Sequence, residues 1–234
     1  MPTTHYSKIR QVVSEEKQFC NDCMVHCYET YVRKYLKNRA KYSYAVVLDD
    51  SNFNSTKAIE KCDEGIRVHI AQHDKNELKN MMKKRPKNVT RLLYGDYSIL
   101  NPPKKVVIDN ADFCCGWKKA KNTLIDRLKS ADFYADRAIV RLTLCALGSL
   151  PLNGTIDDVI NDVANDYISA ADETKYCVEI LNLRQWVKNW DEEHFKTYRF
   201  PEKEYGDYGC YTYKPSMFTF MFLLIKKTDN KKHP

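Results

Sequence analysis

Short runs rich in apolar residues, each ending in acidic or polar residues and most followed by a helical pattern, constrain this chain more than any other feature. The first covers residues 44–48, apolar at every position, and stops at Asp49 and Asp50. A strand without a polar face must be covered on both sides, which is the situation in a buried parallel sheet. The unit recurs. Residues 66–71 lead to Gln72, His73 and Asp74, residues 89–93 to Tyr94, Gly95, Asp96 and Tyr97, and residues 105–108 to Asp109, Asn110, Ala111 and Asp112. A fifth run covers 138–147.

Helical spacing fills the gaps. Asn76 or Asp74 can cap a helix that runs to Lys84, and Trp117, Leu124, Ile125 and Leu128 mark a second. In a third, Val159, Ile160, Val163 and Tyr167 oppose Asp158, Asp162 and Asp166. Strands alternating with helices require right-handed crossovers, so the pattern predicts an α/β fold with a mostly parallel sheet covered on both faces.

The two ends read differently. Apolar residues step by three to four from Val12 to Leu36, which predicts one long amphipathic helix over 7–38. That makes 1–40 a helical extension, 41–227 the domain and 228–234 a basic tail. Near the other end the spacing predicts a helix over 174–190, then strands over 195–200, 209–214 and 217–227 that finish the sheet in antiparallel fashion.

Composition excludes several classes. With 43% hydrophobic and 29% charged residues the chain can bury a core and is neither disordered nor fibrous. The longest apolar stretch, 217–225, is nine residues with a Thr inside, far short of the ~20 that span a bilayer. No apolar leader opens the sequence, which predicts an intracellular protein whose nine cysteines are thiols. Cys20, Cys23 and Cys27 lie on the apolar stripe of the first helix beside His26, so packing explains them better than zinc. Cys114 and Cys115 read as a small-residue turn rather than a nucleophile, and Pro102 and Pro103 as a rigid entry to a strand. The net charge is +7, unevenly spread: from Lys75 to Arg91 there are seven basic residues and one acid, whereas 157–173 carries six acids and no base. The basic segment is either a solvated helix face or a surface for a DNA or RNA backbone.

Open α/β sheets bind ligands beyond the carboxyl ends of their strands, where strand order reverses. Acids ending four successive strands suit a ligand with a ribose diol and an amino-bearing purine, since both donate hydrogen bonds to carboxylates. Aromatic Tyr94, Tyr97, Phe113 and Trp117 lie beside the same ends.

The order of parts, with 46–50 and 54–56, Gly95-Asp96, 108–116, and the closing 211–213 and 215–217, resembles the S-adenosylmethionine-dependent methyltransferases. It is most similar to divergent members of the kind encoded by viruses and mobile elements. An enrichment in Lys, Asn and Tyr, residues with A/T-rich codons, agrees with such a source.

The resemblance implies a Rossmann-like fold with strand order 3-2-1-4-5-7-6. It further implies that Asp49, Asp50 and Asn54 hold the methionyl part of S-adenosyl-L-methionine, His73 or Asp74 the ribose, and Asp96 with Tyr97 the adenine. Asp109 and Asp112 would then face the methyl acceptor, orienting it or taking its proton. In that family the loop after strand one carries several glycines, but residues 50–56 contain none. Either Asn52 and Asn54 take the left-handed positions that glycine would take, or the site is degenerate. The expected function is accordingly methyl transfer to a nucleic acid, and the alternative is a catalytically degenerate methyltransferase fold serving as a viral accessory or interaction module.

Overall fold

The computed structural model describes residues 15–36, 43–113, 116–130, 132–145, 156–181, 211–213 and 217–227. Within them the alternation seen in the sequence appears as β1 (Tyr44–Val47), α2 (Asn54–Cys62), β2 (Arg67–Gln72), α3 (Lys75–Lys84), β3 (Val89–Tyr94) and β4 (Val106–Asp112). Then come α4 (Trp117–Lys129), β5 (Tyr134–Cys145), α5 (Ile156–Asp172), β6 (Tyr176–Ile180), β7 (Tyr211–Tyr213) and β8 (Met217–Lys226). The first helix, α1 (Glu15–Cys27), is continued by a π-helical turn over Tyr28–Val32 and a 3-10 turn over Arg33–Tyr35. The part of the expected long helix before Glu15 lies outside the described residues.

All described strands form one sheet in the order β3-β2-β1-β4-β5-β8-β6, with β7 on β8. β1 pairs in parallel with β2 and β4, placing Val46 between His69 and Asp109. β8 runs antiparallel to both β5 and β6. This is the expected 3-2-1-4-5-7-6 order with β8 in the seventh place.

Two elements differ from expectation. β5 begins at Tyr134, ahead of its apolar run. Residues 176–180 are strand, not helix, because β8 offers them a free edge to pair with. Their exposure alternates residue by residue, as a strand's must when one face is covered. The expected helical stretch after 181 and the strand over 195–200 lie outside the described residues. Asp74, not Asn76, caps α3.

Apolar residues of successive sheet positions point to opposite faces and build two layers. On one, Val46, Ala111, Val140, Leu142 and Phe222 meet α4 and α5 through Leu124, Leu128, Val163 and Tyr167. On the other, Val47, Ile108, Ile139 and Met221 meet Met24, Cys27 and Tyr28 from the first helix, Ile59 of α2 and Met81 of α3. Each fully buried aliphatic or aromatic side chain contributes about 1.5–3 kcal/mol, so these layers hold the strand ends in register. Cys23 and Cys27 belong to this packing, and burial pushes both thiols well above their ordinary range.

Candidate functional site

The carboxyl ends of β1 and β4 lie side by side where the order reverses, since the chain leaves β1 toward β2 and β4 toward β5. Asp49 follows β1 and is buried. Its carboxylate accepts from the backbone N–H of Asp50 (3.1 Å), the N–H of Thr56 (2.9 Å) and the Thr56 hydroxyl (2.8 Å). It therefore serves as a remote cap of α2. Burial pushes its pKa up to about 6, although the Thr56 bonds and the Lys17 ammonium work the other way.

The loop that follows is closed by carboxylates. Asp50 accepts from Asn52 N–H through its side chain (2.8 Å) and from Phe53 N–H through its carbonyl (3.0 Å). The N–H of Ser51 donates to Glu77 of α3 at 2.6 Å. The left-handed position falls on neither Asn52 nor Asn54 but on Phe53, with φ 54° and ψ 40°. A bulky residue there costs of order 1–3 kcal/mol. It persists because the ring is buried among Val47, Ile59 and their neighbours in the core, with only 1% of its surface exposed. Asn54 is half-buried and opens α2.

Beyond β2, His73 and Asp74 are exposed, and Asp74 accepts from the N–H groups of Asn76 (2.8 Å) and Glu77 (3.1 Å). Gln72 is buried behind them and accepts from Asp74 N–H at 3.0 Å. After β3 the chain turns at Gly95, whose φ of 147° is a conformation that residues with a side chain rarely adopt. Asp96 is exposed and accepts from Ser98 N–H at 3.0 Å. Tyr94 and Ile99 stand exposed on either side, with the Lys75 ammonium 5.2 Å from the Tyr94 ring centre.

Two expected site residues are elsewhere. Asp109 points into the α4–α5 layer, where it accepts from Tyr97 Oη, from Tyr134 Oη at 2.7 Å and from Arg127 Nη1 at 3.1 and 3.2 Å. A carboxylate with no exposed surface and this many donors cannot meet an acceptor molecule, so Asp109 is a structural ion pair. Tyr97 is buried with it, its hydroxyl also near the Val46 carbonyl at 3.1 Å. Its ring is core and unavailable to an adenine.

Asp112 is different. On the other face of β4, its Oδ2 lies 3.2 Å from the ammonium of Lys17 on the first helix. Burial opposes its ionisation, but Lys17 and Arg141 outweigh that and hold the carboxyl below its ordinary value. Arg141 of β5 is buried and donates to Asn21 Oδ1 at 2.6 Å, which also accepts from Ser55 Oγ at 2.9 Å. Asn110, paired in register with Arg141, is fully buried with no hydrogen-bond partner for either side-chain atom, and Asn21 Nδ2 also lacks one.

The structure thus gathers Asp49, Asp50 and Asp112 with Lys17, Asn21, Asn110 and Arg141, and leaves Asp74 and Asp96 on the rim. Lys17, Asn21, Asn110 and Arg141 were not anticipated. Arg141 alone had a sequence signal, a charge inside an apolar run, which requires a partner when buried.

Neither a family model nor a curated protein sequence matches the chain. Solved structures do. The plantazolicin methyltransferase BpumL, in complex with a desmethyl plantazolicin analogue and SAH, aligns with TM-score 0.55 at 8% identity over 95% of this chain and 90% of its own. TYW2 of M. jannaschii in complex with AdoMet aligns with TM-score 0.52 at 9% identity, covering 94% and 80%. The fold is that of the Rossmann-like methyltransferases. The fibrillarin pre-rRNA processing protein of Methanococcus jannaschii gives TM-score 0.50 at 11% identity, covering 81% and 68%. At these identities the fold is what is shared.

Proposed function

We propose that the chain binds S-adenosylmethionine and transfers its methyl group to a nucleic acid. The observation that carries this reading is the meeting of β1 and β4 carboxylates at the point where strand order reverses, with two exposed carboxylates beside it on β2 and β3. This set of acceptors fits a cofactor that presents hydroxyls, an amino group and positive charge. The partnerless atoms of buried Asn110 support the fit, because orphaned polar groups in a core cost about 1–3 kcal/mol each unless something satisfies them.

When bound, the cofactor would supply an electrophilic methyl group on a sulfonium. The chain's own residues do the positioning. Asp74 and Asp96 stand exposed at the strand ends where the ribose and adenine donors would lie, and exposed Tyr94 and Ile99 offer apolar surface next to Asp96. Asp49 shapes the loop through Thr56. Asp112, held ionised by Lys17 and Arg141, is a poor proton acceptor and a good orienter of an acceptor's donor group.

The nucleic-acid part rests on the segment from Lys75 to Arg91. Lys75, Lys79, Lys83, Lys84, Arg85, Lys87 and Arg91 are all exposed, on α3 and the edge strand β3, with Lys75 nearest the strand ends. Binding to single-stranded or duplex nucleic acid should weaken with salt by a log-log slope of roughly −0.7 to −0.9 per phosphate contact. Replacing Lys83, Lys84 and Arg85 by Glu should lower it equally for all sequences. Salt-insensitive binding would point to a small-molecule or protein acceptor.

A second reading is favoured by the loop after β1. Its N–H groups at 50–53 are taken by Asp49, Asp50 and Glu77, leaving none to approach a ligand. That suits a degenerate fold used as an interaction module of the viral accessory kind. Calorimetric titration with S-adenosylmethionine and S-adenosylhomocysteine decides between the two: binding of both is expected, and no heat from either would leave the interaction module standing.

A further inference from the structure

The first helix meets the sheet in two ways. From Cys23 to Val32 it packs mainly through apolar side chains, with Met24, Cys27, Tyr28 and Val32 buried in the core, and polar contacts are confined to the edges, such as Tyr28 Oη to Asp63 at 3.0 Å and Arg137 to the Tyr31 carbonyl at 3.4 Å. One to two turns earlier the packing is polar: Lys17 reaches Asp112 at 3.2 Å, and Asn21 takes hydrogen bonds from Arg141 and Ser55. The Asp112 carboxylate is 8% exposed and the Lys17 side chain 29%, so Lys17 caps the acid from the solvent side. The same ammonium is drawn to Asp49 and Asp50, and Arg141 repels it. Lys17 therefore balances carboxylates from both sides of the reversal point.

The closed arrangement is not fully satisfied. Asn110 Nδ2 and Oδ1 and Asn21 Nδ2 have no partners although they are buried in this seam. A helix held by apolar packing would gain nothing from leaving them so. A helix end that lifts when a ligand arrives would expose them to it.

We propose that Lys17 is a built-in competitor for a ligand's positive charge, neutralising the β1 and β4 carboxylates until a cationic ligand takes its place and the helix around residues 17–21 lifts away. The inference rests on the binding reading above and makes Lys17 the residue that sets how strongly the site separates a sulfonium from its neutral thioether product. A cationic ligand must drive the ammonium from carboxylates that attract it, whereas a neutral one need not, because like charges sharing a partly buried site repel. The sulfonium form alone bears that cost, so in the wild type the thioether product is favoured.

The test compares the wild-type chain, Lys17→Met and Lys17→Arg by calorimetry with S-adenosylmethionine and S-adenosylhomocysteine. Lys17→Met should tighten the sulfonium form by about tenfold relative to the thioether, and Lys17→Arg should keep the wild-type ratio. An unchanged ratio, or equal weakening of both ligands, overturns the proposal while leaving the binding reading intact. Hydrogen exchange without ligand supplies a second arm. Amides of residues 17–21 should exchange faster in Lys17→Met, and in Asp112→Asn where that variant folds better, and unchanged protection means no latch exists. If none of the proteins binds either ligand, the binding reading falls and takes the competitor role with it, and exchange alone then reports whether Lys17 fastens the helix.

Discussion

Asp109 and Asn110 are neighbours on β4, yet they open onto opposite faces of the sheet and into opposite kinds of polar interior. Toward α4 and α5, Asp109 is ringed by Arg127, Tyr97 and Tyr134, and the guanidinium itself stacks 4.1 Å from the centre of the Tyr97 ring. Every oxygen of that carboxylate is used. Toward the first helix, the Asn110 side chain has no hydrogen-bond partner, while Asp112, Lys17, Asn21 and Arg141 share a seam that reaches solvent at Lys17. A closed network fixes a fold, because any missing member leaves a charge stranded in a medium that penalises it. An incompletely satisfied one at the strand ends is where binding can still be gained.

The comparison breaks most visibly at its closed side. Asp109→Asn leaves Arg127 buried without its counter-charge, and removing one partner of a buried pair costs about 3–5 kcal/mol. Urea unfolding should show that loss as a lower midpoint with an unchanged slope. Pairing the change with Arg127→Met should recover much of it, since two uncharged replacements strand no charge. If Asp109→Asn unfolds like the wild type, the network is not what holds β4 against α4.

A smaller effect concerns pH. Asp49 has a folded pKa near 6, above the ~3.9 of an unfolded Asp, so between those values the folded state holds a proton that the unfolded state lacks. Stability from this group is therefore full below pH 4 and falls as pH rises to about 6, by up to about 3 kcal/mol, then stays level. Asp112 acts in the opposite sense. Its folded pKa is depressed, so its contribution is present above the unfolded value and disappears as pH falls through the folded one. Unfolding midpoints of Asp49→Asn across pH 4–7 should be flatter than those of the wild type. A slope that survives the substitution would assign it to another group.

The sequence made the sheet legible from β1 to β5 because each strand centres on a run rich in Val, Ile and Leu, continuous in β1 and broken elsewhere by only a few polar residues, such as Arg67 and His69 in β2 and Thr90 and Arg91 in β3. It misread 176–180, where Tyr176 and Ile180 also fit a helical step and the deciding partner, β8, lies some forty residues on. The acids at the strand ends were visible as a set, but not the way each one faces. Their odd spacing puts Asp109 and Asp112 on opposite faces, but which face each takes depends on the bulge that shifts β4 between Val106 and Ile108. Phe53 in the left-handed region was beyond reach as well, since local preference favours Asn and only the surrounding core pays for a phenyl ring there. Lys17 and Arg141 meet the site through tertiary contact, a link that no spacing reveals.

The smallest expected effect is the sharpest on the open side. Asn110→Leu is close to isosteric and removes two buried polar atoms that have no partners. Because the wild type already pays their desolvation without a compensating bond, stability should stay within about 1 kcal/mol of wild type or rise, in contrast to the loss expected one residue earlier at Asp109. Binding should move the other way: if ligand or ligand-ordered water satisfies Asn110, Leu removes that gain and affinity for S-adenosylhomocysteine falls, while the unfolding midpoint holds. A variant that is markedly destabilised would mean that Asn110 is satisfied in the free protein by an ordered water. The two faces of β4 would then be alike, both closed, and the place for a ligand would have to be sought on the rim between Asp74 and Asp96.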